Sequence, residues 1–129
     1  MNRAATSVFA WGIYLIGAGL GFLLLPNMVL SLFRFSTTTE GWVRVVGLLA
    51  AIVGAYYVYC AQNNVMHFIR ATVFGRVAFA VGSLALVMLK LSETPLLIIG
   101  ALDAIGAIWT WLSLRSMAES KVDDAMARA

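Results

Sequence analysis

Three side chains that can carry charge or share a proton lie inside long apolar stretches of the sequence: Tyr14, Arg76 and Asp103. At a helical rise of about 1.5 Å per residue, each would lie roughly 12 to 16 Å into its stretch, counted from the side of the chain termini. A charge at the centre of a bilayer costs at least about 2.5 kcal/mol on insertion scales, and such residues usually face a partner or a wet cavity. We therefore predict that Arg76 and Asp103 pair, with the Tyr14 hydroxyl making a remaining hydrogen bond.

Two interpretations of this predicted polar cluster remain open. In one, the cluster only fixes the register of the helices, as buried ion pairs can do without chemistry. In the other, it forms the floor of a cavity within the membrane, where Arg76 binds an anionic or carbonyl group and Asp103 accepts a proton. The sequence indicates no catalytic residue, because no nucleophile is placed beside a base. Cys60 and His67 are each single, so we predict no metal and no cofactor.

The elements that would hold this cluster follow from composition. Of the 129 residues, 62% are hydrophobic and 12% are charged, which is far from the balance of a soluble domain. Four apolar runs, at about 5–25, 41–61, 68–89 and 95–114, each have the length that crosses a hydrocarbon core of about 30 Å. The sequence therefore predicts an all-α polytopic membrane protein, with a four-helix bundle in residues 1–115 and a cytoplasmic tail in residues 116–129.

The distribution of basic residues predicts the orientation of this bundle. Five Lys or Arg residues would lie on the side of the termini and three on the other side, where Arg34, Arg44 and Lys90 fall. The positive-inside rule then places both termini in the cytoplasm, with the helices in a bacterial inner membrane. The basic charge balance is explained by topology, and no basic run with interleaved aromatic residues points to nucleic acid.

Local signals predict where the helices begin and end. Pro26 ends the first span, Thr37 and Glu40 fit a capping box that opens the second, and Thr94 with Pro95 fits the start of the fourth. The intervening stretch NMVLSLFRF, residues 27–35, is expected to lie in the interface as an amphipathic segment. Arg44 is interpreted as an interfacial anchor that pairs with Glu40 at i, i+4.

Small residues indicate which helix faces pack together, because helices in lipid associate through close approach. We expect one packing face on each of the first two spans, formed by Thr6, Ala10, Gly17 and Gly21, and by Gly47, Ala51 and Ala55. Residues 8–17 also align with 73–82, and residues 47–59 with 100–112. These matches predict two helical hairpins that are parallel repeats, related by an axis along the membrane normal.

Three segments resemble the small four-helix bacterial membrane proteins grouped as DoxX-like: GAGLGFLLLP, EGWVRVVGLLAAIVGAYY and FGRVAFAVG, the last of which contains Arg76. The resemblance covers most of residues 5–114 and implies a helper role beside a membrane oxidoreductase more readily than a free-standing enzyme. It carries over no catalytic residue.

Two functional hypotheses follow. The first is a non-catalytic accessory or scaffold subunit that packs against another membrane protein or against itself. The alternative is a binding protein or transporter for a small amphiphilic or anionic ligand held by Tyr14, Arg76 and Asp103. Contact between Arg76 and Asp103 without a void would favour the first, and a pocket that opens toward lipid beside residues 28–35 would favour the second.

Overall fold

The computed structural model describes all residues, 1–129, and it contains helices and no strands. Five α-helices follow one another along the chain: α1 Arg3–Leu24, α2 Pro26–Leu32, α3 Trp42–Gln62, α4 Met66–Met88 and α5 Leu96–Ala127. All except α2 are long and apolar enough to cross a membrane. The predicted all-α fold with four long apolar helices is confirmed, and the chain has the character of a multi-pass membrane protein.

The helix bounds lie within two residues of the predicted runs except at one end. There, α5 continues without a break to Ala127, so most of the predicted tail is helical. The side chains beyond Met117 are exposed. At about 1.5 Å per residue, the part of α5 after Leu114 extends roughly 20 Å beyond the apolar run.

Helix α1 packs most extensively on α3, and α4 packs on α5. The α1–α3 contact is antiparallel and is made by two pairs of glycines, Gly12 with Gly54 and Gly19 with Gly47. A Cβ atom on Gly12 would lie 2.9 Å from the Gly54 carbonyl oxygen, and one on Gly54 would lie 2.8 Å from the Gly12 oxygen. The two backbones are therefore too close for any side chain at these positions.

This contact uses a different face of α1 from the predicted one. Thr6, Ala10 and Gly17 are exposed, whereas the buried residues of α1 include Gly12 and Gly19. The prediction was wrong because small residues occur on two opposite faces of α1, and spacing alone does not choose between them. On α3, Gly47 is buried as expected, but Ala55 is exposed.

The apolar core lies toward the end of the molecule that carries both termini. It consists of Ala4, Ala5, Val8, Ala61 and Ile69. Asn2 closes this end, because its Oδ1 accepts a hydrogen bond from the Ala5 N–H at 2.8 Å and its own N–H donates to Asn64 Oδ1 at 3.2 Å. The start of α1 is thereby fixed to the turn between α3 and α4.

The two predicted side-chain caps are not formed. Helix α3 begins at Trp42 without a side-chain cap, and the Glu40 N–H donates to Thr38 Oγ1 at 3.1 Å. Helix α5 likewise begins without a side-chain cap, directly after Pro95. The Thr94 carbonyl oxygen accepts a hydrogen bond from the Leu97 N–H at 3.0 Å. Pro95 adopts a φ of −57°, which is the value that suits the start of a helix.

The predicted amphipathic segment at 27–35 overlaps α2, Pro26–Leu32. Val29 and Leu30 are buried, and Val29 packs against Gly21 of α1, while Met28 and Leu32 are exposed. The loop that follows is joined to the α4–α5 turn, since the N–H and hydroxyl of Ser36 both donate to a Glu93 carboxylate oxygen at 3.0 Å.

Candidate functional site

Arg76 lies halfway along α4, and its side chain is 2% exposed. Its Nη2 donates to Thr110 Oγ1 of α5 at 2.8 Å and to Thr72 Oγ1, one turn earlier on α4, at 3.3 Å. Long side chains on a helix extend toward its N-terminus, which explains why Arg76 reaches these partners. The guanidinium therefore lies nearer the end of the molecule with the termini than its position in α4 indicates.

The hydrogen bonds of Arg76 continue into α1. Thr110 Oγ1 lies 2.8 Å from the Ser7 hydroxyl oxygen and also donates to the Gly106 carbonyl at 3.1 Å. The Ser7 hydroxyl oxygen lies 2.7 Å from the Ala4 carbonyl oxygen. The hydroxyl protons of Ser7 and Thr110 therefore serve three contacts: Ser7 with Ala4, Ser7 with Thr110, and Thr110 with Gly106. A buried polar network thus joins α1, α4 and α5.

Aromatic rings and one glycine complete the surroundings of the guanidinium. Its Cζ lies 5.3 Å from the ring centroid of Trp11 and 5.9 Å from that of Tyr57, distances at which a cation is attracted to the ring face. A Cβ on Gly106 would lie 2.8 Å from Arg76 Nη1 and 2.9 Å from the Trp11 ring. A Cβ at this position would force the Arg76 guanidinium and the Trp11 ring to shift away from α5.

Two nitrogens of Arg76 remain without a hydrogen-bond partner. Nε and Nη1 are the only buried side-chain nitrogen or oxygen atoms of which this is true. An unsatisfied buried donor costs about 1 to 3 kcal/mol, and more when it is charged. The Trp11 and Tyr57 rings offset part of this cost, because they face the cation with electron density.

The predicted ion pair between Arg76 and Asp103 is not formed. The only ion pair with atoms within 4 Å is Arg115 with Glu119, at 3.1 Å. Asp103 precedes Thr110 by about 10 Å along α5, toward the opposite end of the molecule from that to which Arg76 extends. Asp103 instead lies half-buried beside Trp11, whose indole N–H lies close enough to donate a hydrogen bond to its carboxylate.

Tyr14 makes no hydrogen bond to Arg76 either. Its ring packs against Trp11, with centroids 5.0 Å apart and planes at 44°. The three predicted residues, Tyr14, Arg76 and Asp103, therefore lie around Trp11 and make no hydrogen bond to one another. Trp11 is the centre of the cluster and was not among the residues predicted from the sequence.

The predicted interfacial pair of Glu40 and Arg44 is also absent. Glu40 precedes α3, so the i, i+4 geometry of a helix does not apply to it, and its carboxylate accepts from the Trp42 indole N–H. Arg44 Nη1 donates to the Leu23 carbonyl at 2.5 Å. Carbonyls in the last turn of a helix lack intrahelical partners, so Arg44 links α3 to the end of α1.

Of the hydroxyl groups in the Arg76 network, the sequence could have indicated Thr72 but not Ser7 or Thr110. Thr72 lies four residues before Arg76, on the same helix face and in the direction of its side chain. Ser7 and Thr110 lie on other helices, so only packing brings them to Arg76. Tyr57 of α3 is half-buried and packs edge-on against Phe68 of α4, with ring centroids 5.4 Å apart.

A second feature lies on the opposite face of α4 from Arg76. Five small residues follow one another at heptad spacing: Ala71, Gly75, Ala78, Gly82 and Ala85. A Cβ added at Gly75 or at Gly82 would meet no atom within 4 Å. No helix of this chain covers this small-residue stripe.

Neither a predicted pocket nor a metal cluster accompanies these features. No group of three or more His, Cys, Asp or Glu residues is placed to hold a metal. The best-defined cavity, of about 450 Å³, lies between α4 and α5 at the end with the termini, and not beside residues 28–35. No protein-family model, no curated protein and no solved structure matches the chain.

Proposed function

We propose that the chain is a non-catalytic accessory or scaffold subunit of a membrane assembly. The observation that supports this function best is the small-residue stripe on α4, where Gly75 and Gly82 have open space beside them. Helices in lipid associate where small residues let backbones approach closely. The same chain uses this device between α1 and α3, where it is already occupied. We infer that the stripe receives a transmembrane helix of another membrane protein or of a second copy of this chain.

The surroundings of Arg76 support a structural role for the polar network. Its guanidinium is enclosed by Trp11, Tyr57 and Gly106, and its bonds to Thr72 and Thr110 lie within the helix contacts. A buried charge with these partners fixes the relative register of the helices that supply them. The network would thereby hold α4 in the orientation that presents the stripe.

The experiment compares two double variants after gentle extraction from native membranes. Gly75→Leu with Gly82→Leu fills the stripe, whereas Val77→Leu with Val81→Leu adds bulk on a neighbouring exposed face of α4. Native mass spectrometry reports the complexes that each form retains. We expect the glycine variant to lose a helix-containing partner that the wild type and the valine variant keep, because leucine prevents close approach.

The partner can be another protein or a second copy of this chain, and the mass of the complex distinguishes the two. A complex that survives unchanged in the glycine variant would contradict the proposal. Far-UV circular dichroism of each variant checks that the four long helices are intact.

The proposal also includes the arrangement of the helices and their orientation in the membrane. The packing of α1 on α3 and of α4 on α5 supports two helical hairpins, and we propose that they form a bundle of two parallel repeats. The excess of Lys and Arg at the end with the termini supports a cytoplasmic location for both termini in a bacterial inner membrane. The DoxX-like resemblance supports the helper role and stays a proposal.

A second candidate is a binding protein or transporter for a small anionic amphiphile at Tyr14, Arg76 and Asp103. The observation in its favour is that Arg76 Nε and Nη1 have no hydrogen-bond partner. A ligand carboxylate or phosphate would satisfy both nitrogens. In the same mass spectra, a small bound mass that is lost on Arg76→Gln but kept in the glycine variant would favour this function over the scaffold.

A further inference from the structure

A groove with a cationic mouth lies between α4 and α5, at the end of the molecule with the termini. Arg70 and Phe74 of α4 form one wall, and Trp111, Arg115 and Lys121 of α5 line the other. Its volume is about 450 Å³, which is within the range of about 300 to 1,000 Å³ typical of ligand pockets. The groove shares no residue with the Arg76 network or with the small-residue stripe.

The charges of the groove favour an anion. Arg70, Arg115 and Lys121 all line it, and no acidic residue does. Glu119 approaches one of these cations, accepting from Arg115 Nε at 3.1 Å, and leaves both Nη nitrogens of Arg115 without a hydrogen bond. The first turn of α4 begins at Met66, which also lines the groove, and its unpaired N–H groups add positive potential.

The groove is apolar below its charged mouth. Arg115 follows directly after the fourth apolar run and Arg70 lies near the start of the third, so both would lie where a bilayer changes from hydrocarbon to headgroups. Lys121 lies about 9 Å further out along α5. Phe74 and Trp111 are 76% and 49% exposed on the hydrocarbon side. The Arg115 Cζ lies 5.8 Å from the Trp111 ring centroid, which places the guanidinium beside the apolar wall.

We propose that this groove binds an anionic phospholipid from the leaflet on the side of the termini. The phosphate would be held by Arg70, Arg115 and Lys121, and an acyl chain would lie along Phe74 and Trp111. Basic pockets between helices at a membrane surface bind anionic headgroups in this way. A free phosphate would contact only the cations, whereas a phospholipid also covers the exposed rings. The proposal is independent of the scaffold function, because it uses other residues.

The test uses purified protein with equal amounts of phosphatidylglycerol and phosphatidylcholine, which differ in headgroup charge. Native mass spectrometry counts which lipid each protein retains. The groove variant is Arg70→Gln with Lys121→Gln, and the matched control is Arg3→Gln with Arg128→Gln, which removes two exposed charges at the same end. A cation near an anionic surface is worth about fivefold in binding, so we expect the groove variant to lose at least about fivefold of the preference for phosphatidylglycerol.

A charge-preserving variant, Arg70→Lys with Lys121→Arg, is expected to keep the preference, which separates loss of charge from loss of structure. Quenching of Trp111 fluorescence by brominated phosphatidylglycerol provides a second readout, with Trp111→Phe identifying its signal among the four tryptophans. The proposal is overturned if the wild type shows no preference, if both double variants lose it equally, or if inorganic phosphate alone displaces the lipid. Retention of a protein in place of lipid at the groove would also overturn it.

Discussion

At the scale of single residues, Arg76 keeps its charge inside an apolar environment through two hydrogen bonds and two aromatic rings. Its shortest hydrogen bond is to Thr110, whose hydroxyl also contacts Ser7. Hydrogen bonds to a charged group contribute about 1.5 to 3 kcal/mol. The Thr110 hydroxyl therefore contributes more to the free energy of unfolding than the small size of the side chain indicates.

We predict that Thr110→Val lowers the free energy of unfolding by about 1.5 to 3 kcal/mol, because valine keeps the shape and removes the acceptor of Arg76. Thr110→Ser, which keeps the hydroxyl, should cost less than about 1 kcal/mol. The measurement is unfolding in detergent followed by circular dichroism. In an Arg76→Met background the Thr110→Val cost should shrink, and an equal cost in both backgrounds would show that the two residues are not coupled.

The importance of Arg76 could be predicted from the sequence, but its partners could not. A charge in the middle of an apolar run must find a partner or water, which singles out Arg76 and Asp103. The two residues were predicted to pair because their Cα atoms lie at similar depths along the helices. Such an estimate does not include the direction in which each side chain extends. Arg76 extends toward the N-terminus of α4 and so reaches Thr110 instead of Asp103.

At the scale of elements, three helices end in the left-handed conformation without a glycine. Arg34, Asn64 and Lys90 have φ values of 65°, 50° and 58°. In each case the next residue donates to a carbonyl five positions earlier: Phe35 to Leu30, Val65 to Cys60 and Leu91 to Leu86. This is the Schellman arrangement, in which glycine is usually favoured.

Lys90 is the best position to test this feature, because it is exposed and lysine enters the left-handed region less readily than asparagine. We predict that Lys90→Gly is more stable than Lys90→Ala by about 1 kcal/mol, since alanine keeps the strain of a Cβ and glycine removes it. The midpoints of thermal unfolding of the two variants provide the comparison. Equal midpoints would indicate that α4 does not end in this conformation.

Hydropathy predicted the spans to within two residues, because it reports the same apolar lengths that the helices adopt. It ended the fourth span at 114, since the charged residues that follow continue α5 outside the apolar region. The spacing of small residues did not predict the packed face of α1, because such residues lie on two opposite faces of this helix.

At the scale of the whole molecule, the four long helices run alternately between two ends. One end carries both termini, the turn at Asn63 and the groove between α4 and α5, and the other carries α2 and the linked loops of Ser36 and Glu93. Composition and helix length support four crossings. The roles proposed for the polar network, the small-residue stripe and the groove all require that the four long helices cross a membrane.

The four crossings are tested most directly by labelling single cysteines with a membrane-impermeant maleimide, in a Cys60→Ala background. The positions are Asn63→Cys and Ser116→Cys at one end, and Thr37→Cys and Thr94→Cys at the other, all exposed. Intact cells and inside-out vesicles present opposite sides of the membrane. We predict that the first pair is labelled only from one side and the second pair only from the other. Labelling of Asn63→Cys and Thr37→Cys from the same side would contradict the four crossings.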